Sequence, residues 1–152
     1  MLRDDLNAAM KDAMRAKDQP ALSTVRLMLA AIKDRDIAAR AKGNRDGVPD
    51  EDILSLFGSM IKQRREAITL YQQGNRQDLV DKEQAEIRVI ERFLPKQLDA
   101  AGMDAAIRKG IEATSAKSIK DLGPLMAWLK ANYAGQMDFS KVAPRAKELL
   151  AG

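Results

Sequence analysis

Three cations lie within residues 62–65, and the chain then becomes apolar up to Tyr71. Arginine and lysine beside an aromatic ring are typical of sites that bind phosphates and stack on bases. On a helix, the same cations can instead pair with acidic side chains of a neighbouring helix. The helical position of each cation, and the charges that face it, therefore decide between these two kinds of contact.

The residue types exclude several classes of catalytic and metal site, because the chain has no histidine and no cysteine. Imidazole and thiolate groups are needed for Ser-His-Asp and Cys-His catalysis, for haem ligation and for ordinary zinc sites. Acid pairs such as Glu83 and Glu86 are of the type that binds Mg²⁺ or transfers protons, but no phosphate-binding loop or nucleophile elbow accompanies them. We therefore predict no metal, no cofactor and no catalytic residue.

The composition predicts an all-α protein. Aromatic residues make up 4% of the 152 residues, and helix-favouring residues such as Ala, Leu, Met, Lys, Arg and Glu dominate. No apolar run is long enough to span a bilayer, and charged residues occupy positions 3–5, where a secretory leader would become apolar. Because the absence of cysteine is compatible with a reducing compartment, we predict a cytoplasmic protein without a membrane segment.

Proline and glycine residues divide the chain into about seven helical segments. Pro95, in the sequence FLPKQL, cannot continue a helix and disfavours helical geometry at the preceding residue. We therefore place a boundary here. Residues 1–95 are predicted to form a helical N-terminal subdomain with a long helical hairpin, and residues 96–152 a small C-terminal subdomain of three helices.

Helix starts and stops follow from individual residues. Asp18 and Asp50 are predicted to cap the second and third helices, and the Gly-Asn pair at 74–75 to end the third in left-handed geometry. Pro124 predicts a kink, or a helix that starts near Asp121. The polar segment 42–49, with its two glycines, is predicted to be a mobile loop.

The arginines of the opening segment interrupt the apolar stripe of the third helix, at the position between Ile61 and Ile68. Folding the chain about 74–75 sets them opposite positions 84 and 85, where acids interrupt the stripe of the fourth helix. An unpaired charge in such a seam costs on the order of several kcal/mol. We therefore predict an interhelical layer of ion pairs, and the alternative is one arginine left free for a phosphate. The predicted layer consists of Arg64, Arg65, Glu83 and Glu86.

The formal charge is +4, and it is concentrated in the shorter C-terminal part of the chain. Up to Leu94 there are 17 basic and 16 acidic residues, and from Pro95 onward there are 9 and 6. This part is the best electrostatic candidate for RNA contact, with ordinary solvated surface as the alternative. Trp128, on the same part, is predicted as a rim of the core and not as a platform for bases. The candidate residues are Lys117, Lys120, Lys130, Lys141, Arg145 and Lys147.

A second cationic row lies on the predicted second helix, where Arg26, Lys33 and Arg40 recur every seven residues. Such a row can follow phosphates along a nucleic acid. It can equally be the solvated edge of an amphipathic helix, since acidic residues lie nearby. The sequence favours the solvated edge.

Three stretches resemble the GatB/YqeY family of small stand-alone proteins: LSTVRLMLAAIK (22–33), IKQRREAITLYQQGNRQDLVDKEQAEI (61–87) and FLPKQL (93–98). The resemblance extends over essentially the whole chain. It implies a cytoplasmic bacterial protein of helices only, whose small C-terminal subdomain is similar to the tail of the B subunit of the glutamine-dependent tRNA amidotransferase. In that enzyme the tail helps to hold the tRNA.

The match to this tail has both supporting and opposing features. Pro124 and the weakly basic segment 134–140 depart from the tail's pattern, and the catalytic cradle of the amidotransferase is absent. The resemblance therefore implies an accessory module that binds tRNA, or tRNA-aminoacylation or amidotransferase proteins, without a catalytic site of its own. The matching positions are Gly123, Met126, Gly135, Val142, Lys147, Leu149 and Leu150.

Two other functions remain open from the sequence. The first is a protein-interaction adaptor that uses the cationic flank of the second helix or the loop 42–49. The second is a carbon-nitrogen ligase with glutamine as amido donor, as the family label suggests. The lack of histidine, cysteine and a nucleotide-binding loop argues against the ligase.

Overall fold

The computed structural model describes residues 1–151, and all regular structure in this range is helical. The prediction of an all-α fold is confirmed, and its basis is a composition rich in residues that keep their rotamer freedom in a helix. A short 3₁₀ turn, Ile119–Asp121, precedes the sixth helix. The helices are α1 (Leu2–Arg15), α2 (Gln19–Ala41), α3 (Asp50–Gln73), α4 (Gln77–Glu91), α5 (Ala100–Thr114), α6 (Leu122–Tyr133) and α7 (Phe139–Ala151).

The chain divides into two units, Met1–Leu94 and Pro95–Gly152, one residue away from the predicted boundary. In the first unit α1 packs on α2, and both α2 and α3 pack on α4. Each helix contributes one apolar stripe to a common core. Full burial of each large side chain in it stabilises the unit by about 1.5–3 kcal/mol. Side chains with 2% exposure or less include Leu6, Val25, Met28, Ile32, Ile53, Phe57 and Ile90.

The predicted helix starts are correct for α2 and one residue off for α3. Asp18 caps α2, since its carboxylate accepts a hydrogen bond from the Ala21 N–H at 3.2 Å. The N-cap of α3 is Pro49, and Asp50 is the first helical residue, so the prediction of Asp50 as the cap was wrong. Its carboxylate still lies in the first turn, where negative charge stabilises the helix dipole.

The α3–α4 hairpin turns at the predicted pair, but only its second residue is left-handed. Gly74 has φ −88° and Asn75 has φ 55°. Asparagine tolerates this region better than most residues. The Arg76 N–H then bonds to the Tyr71 carbonyl at 2.9 Å and closes the turn.

The second unit is a three-helix assembly in which α5 packs on α6 and α7, and α6 on α7. The Asp121 carboxylate accepts the backbone N–H of Lys117 at 2.8 Å and of Ser118 at 3.2 Å, which fixes the 3₁₀ turn. Because α6 starts at Leu122, Pro124 lies in its first turn, as predicted. The buried core comprises Ala106, Ile107, Leu125, Leu129, Met137, Val142 and Ala146.

The loop predicted to be mobile is anchored at its end by a contact that the sequence did not reveal. Arg3 forms two hydrogen bonds of 2.7 and 2.9 Å with the Asp36 carboxylate, and also donates to the Val48 carbonyl at 2.9 Å. Asp36 accepts the Val48 N–H at 2.9 Å as well. Gly47 has φ +89°, and a Cβ there would lie 2.9 Å from the Arg3 guanidinium, so only glycine fits without strain.

Asp36→Asn is expected to reveal this contact through its pH dependence. The Arg3 hydrogen bonds, and next the Val48 N–H, lower the pKa of Asp36 to about 2. Its usual unfolded pKa is about 3.9, so the stabilisation is complete above this value and is lost as the pH falls towards 2. The variant should unfold more easily by up to about 2 kcal/mol at pH 6 and by much less at pH 2.5. Urea unfolding at both pH values measures the difference, and an equal difference at both would contradict the assignment.

Candidate nucleic-acid interface

Arg64 is held inside the α3–α4 hairpin by the two glutamates that the sequence assigned to it. Its Nε donates to Glu86 Oε2 at 2.8 Å and lies 3.9 Å from Glu83 Oε2, while Nη1 donates to the Met60 carbonyl at 3.0 Å. The arginine side chain is 13% exposed. Because Nε and Nη1 are bonded within the hairpin and the side chain is largely buried, Arg64 is not placed to bind a phosphate.

Arg65 does not belong to this layer, and its assignment there was wrong. Its side chain is 64% exposed and pairs with Glu91 at 3.7 Å, near the end of α4. Consecutive helical residues point about 100° apart, so two adjacent arginines cannot both face the same acids. Of the two arginines in the opening segment, Arg64 is therefore internal and Arg65 lies at the surface.

Arg145 differs from the other C-terminal candidates because its guanidinium already donates hydrogen bonds to two carboxylates. Nε and Nη2 each donate to the Asp104 carboxylate at 2.8 Å, and Nη1 donates to Glu148 at 2.7 Å. The hydrogen bonds from Arg145 hold the pKa of Asp104 below its usual range. Arg145 thus joins α7 to α5, and we remove it from the candidate interface.

The other five candidates are exposed, and none has a carboxylate within 4.0 Å in residues 1–151. The 3₁₀ turn packs on both α6 and α7, so Lys120 lies beside the helices that carry Lys130, Lys141 and Lys147. On α7, Lys141 and Lys147 are six positions apart and point about 120° away from each other. The candidates on α7 therefore do not form a single row. The five candidates are Lys117, Lys120, Lys130, Lys141 and Lys147.

The acids of this unit are engaged in contacts of their own. Among its six acidic residues, only Glu112 lacks a hydrogen-bond or ion-pair partner in the described part of the chain. Asp99 caps α5 at 2.7 Å, and Asp138 accepts from the Ser140 N–H at 3.0 Å. Because these carboxylates face helix starts and Arg145, the lysines keep their charge available to an external anion.

Trp128 lies at the rim of the second core, as predicted, but it also lines a groove that the sequence did not indicate. The groove is open, has a volume of about 570 Å³ and lies between α5 and α6. Lys109 was absent from the predicted set although it borders this groove. No local pattern could have identified the groove, because its two walls are separate helices. Its lining comprises Lys109, Glu112, Ala113, Trp128, Asn132 and Tyr133.

The second cationic row also reaches the surface. Arg26, Lys33 and Arg40 are all exposed along α2. Ile37 lies on the same face, four positions after Lys33, and is 55% exposed. Leu27, which is 48% exposed, instead points about 100° away from Arg26. This outer face of α2 therefore combines apolar and cationic side chains, whereas a purely solvated edge would be polar throughout.

Residues 1–151 contain neither a cluster suited to a metal ion nor a helix suited to a membrane. No cluster of three or more histidine, cysteine, aspartate or glutamate residues is arranged to hold a metal ion. None of the helices in this range combines the length and apolar character that crossing a bilayer requires.

Fold and site together define a class: an all-helical protein with an ion-paired hairpin in one unit and, in the other, exposed lysines that have no carboxylate within 4.0 Å in residues 1–151. The chain belongs to the Yqey-like protein family, which it matches over residues 3–150. The predicted membership of the GatB/YqeY family is thereby confirmed.

Curated relatives include yeast proteins named "Altered inheritance of mitochondria protein 41, mitochondrial". The Saccharomyces cerevisiae (strain YJM789) protein is 30% identical over 118 residues, which cover 74% of this chain and 60% of the relative. The protein of that name from Vanderwaltozyma polyspora is 36% identical over 90 residues, which cover 59% and 46% respectively. The chain therefore spans only 46–60% of the length of these two relatives.

Proposed function

We propose that the C-terminal unit binds tRNA through its exposed lysines, as an accessory module without its own catalytic site. The charge distribution of this unit carries the proposal. Five of its six acids are bonded within the unit, while its lysines have no carboxylate partner in the described residues. The similarity of this region to the amidotransferase tail favours tRNA as the anion.

Lysine determines the kind of binding that is expected. An ammonium on a flexible stem acts as a point charge towards phosphates and does not read base edges. Binding should therefore release counterions and depend steeply on salt, with little dependence on sequence. Because Lys141 and Lys147 point about 120° apart on α7, they suit an RNA whose backbone follows more than one face of that helix.

Labelled tRNA titrated with the protein at several salt concentrations tests the proposal. If four or five lysines each contact one phosphate, the logarithm of the association constant should fall with a slope of about −3 to −4 against the logarithm of salt concentration. Fluorescence anisotropy gives this slope directly. The absence of binding at micromolar protein, or a slope near zero, would overturn the proposal.

The partners and the location belong to the same proposal. We expect its protein partners to be proteins of tRNA aminoacylation or amidotransfer, and its location to be the cytoplasm. The names of the yeast relatives mark those proteins as mitochondrial. These names do not support the expected bacterial origin, which stays a prediction.

The outer face of α2 favours one second candidate, an adaptor that binds an acidic amphipathic helix of another protein. Exposed Ile37 supplies an apolar contact, and the heptad-spaced cations would face acids of the partner. A second copy of this chain fits poorly, since it would oppose like charges. A photo-crosslinker at Ile37 should capture a nuclease-resistant acidic partner, and Lys33→Glu should abolish the capture. RNA as the crosslinked species would exclude this candidate.

A further inference from the structure

The groove between α5 and α6 combines the only tryptophan of the chain with a second aromatic ring and a cation. Trp128 and Tyr133 are both half-buried, and their ring centroids lie 6.0 Å apart. Their planes are inclined by 54°, so the rings meet at an angle and cannot enclose a flat ligand between parallel faces. One flat group can instead lie on one ring and meet the other with its edge.

Gly110 allows the tryptophan to lie close to α5. A Cβ at Gly110 would lie 3.0 Å from Trp128 Cε3 and 2.7 Å from Leu125 Cδ1. A side chain at this position would therefore push the indole and the leucine outward. The glycine keeps α5 and α6 close and supports the indole from behind, as a stacking surface requires.

The polar residues of the groove complement a nucleotide. Lys109 is exposed on α5 and has no carboxylate within 4.0 Å in the described residues, so its ammonium is available to a phosphate. Asn132 donates one amide hydrogen to the Trp128 carbonyl at 2.8 Å, which orients its amide and leaves the oxygen as an acceptor. Glu112 adds an acceptor for the amino groups of a base.

We propose that this groove takes one unpaired base of a bound RNA, stacked on Trp128 or Tyr133, with Lys109 on the adjoining phosphate. The proposal rests on the proposed function and deepens it. The exposed lysines contact the backbone irrespective of base pairing, whereas the groove requires a base outside a duplex. RNA with loops or single-stranded ends should therefore bind more tightly than a duplex of the same charge.

The intrinsic fluorescence of Trp128 tests the groove, because no other tryptophan contributes to the signal. Labelled RNA is followed by anisotropy while the indole emission is recorded in the same titration. RNA with unpaired nucleotides should quench Trp128 in parallel with binding, and a fully paired duplex of equal length should bind without quenching. Trp128→Ala should weaken binding to unpaired RNA by about 5- to 150-fold, and Trp128→Phe should retain most of it.

Two of the outcomes separate the groove from the proposed function. Binding of unpaired RNA without quenching would overturn the groove and leave the backbone interface standing. Quenching by a free nucleoside monophosphate with the affinity of the RNA would also overturn it, since the groove would then be a mononucleotide site. If the protein binds no RNA, both the base-binding groove and the proposed function are contradicted. Because Trp128→Ala removes core contacts, Lys109→Ala provides a second variant, which should lower affinity for unpaired RNA and leave the melting temperature unchanged.

Discussion

Replacing Arg64 with alanine is expected to lower the free energy of unfolding by about 3 kcal/mol at neutral pH. The variant leaves Glu83 and Glu86 facing each other without their cation, although each is less than one fifth exposed. It also removes the donor to the Met60 carbonyl. Urea unfolding followed by circular dichroism measures this loss.

The neighbouring arginine is the matched control. Arg65→Ala removes the same charge from the adjacent position, but its pair with Glu91 is exposed, so we expect a loss below about 1 kcal/mol. Arg64→Ala combined with Glu86→Ala should cost clearly less than the sum of the single variants, because the two side chains form one contact. Equal losses for the two arginines, or additive energies, would show that the layer does not stabilise the hairpin.

The Arg64 contact could be predicted because it depends on two quantities that the sequence contains. One is the helical phase of α3, which puts position 64 in the seam, and the other is the turn at 74–75, which sets the partner positions on α4. The assignment of Arg65 was wrong because of the same helical phase: one position further along α3, the side chain points towards solvent. The prediction of Asp50 as the cap of α3 was also wrong by one residue, because Pro49 has the extended backbone of the N-cap.

The contacts that the sequence did not predict join helices that are far apart in the chain. Arg145 and Asp104 lie 41 residues apart, and Arg3 and Asp36 lie 33 apart. Neither pair shares a hairpin whose turn would fix its register. Their pairing follows from how whole helices pack, and helical periodicity predicts which face is buried but not which neighbour it meets.

This difference explains why fold and site were predictable to different extents. Composition and prolines were enough for an all-α chain divided near Pro95. The RNA interface could be predicted only after the partner of each carboxylate was known, because a lysine is available to RNA only where it has no ion pair with an acidic side chain. The groove also depends on a contact between separate helices, because Gly110 lets α6 approach α5.

Replacing Lys117, Lys141 and Lys147 with glutamine is expected to produce the largest change in RNA binding. If each contacts one phosphate, the triple variant loses three counterion-releasing contacts, and the salt slope should become shallower by about 2–3. At about 0.1 M salt this corresponds to roughly a 10²-fold weaker association with tRNA. The fold should be unaffected, since all three side chains are exposed and make no ion pair in the described residues.

The decisive comparison is a second triple variant, Lys11, Lys42 and Lys82 to glutamine, in the first unit. Both variants lower the formal net charge of +4 by three, and the control lysines are equally exposed, so a general electrostatic effect would weaken both alike. A loss confined to the C-terminal set would assign the contacts to that unit. Equal losses would contradict the proposed interface, because RNA would then respond to the charge of the whole chain and not specifically to the lysines of the second unit.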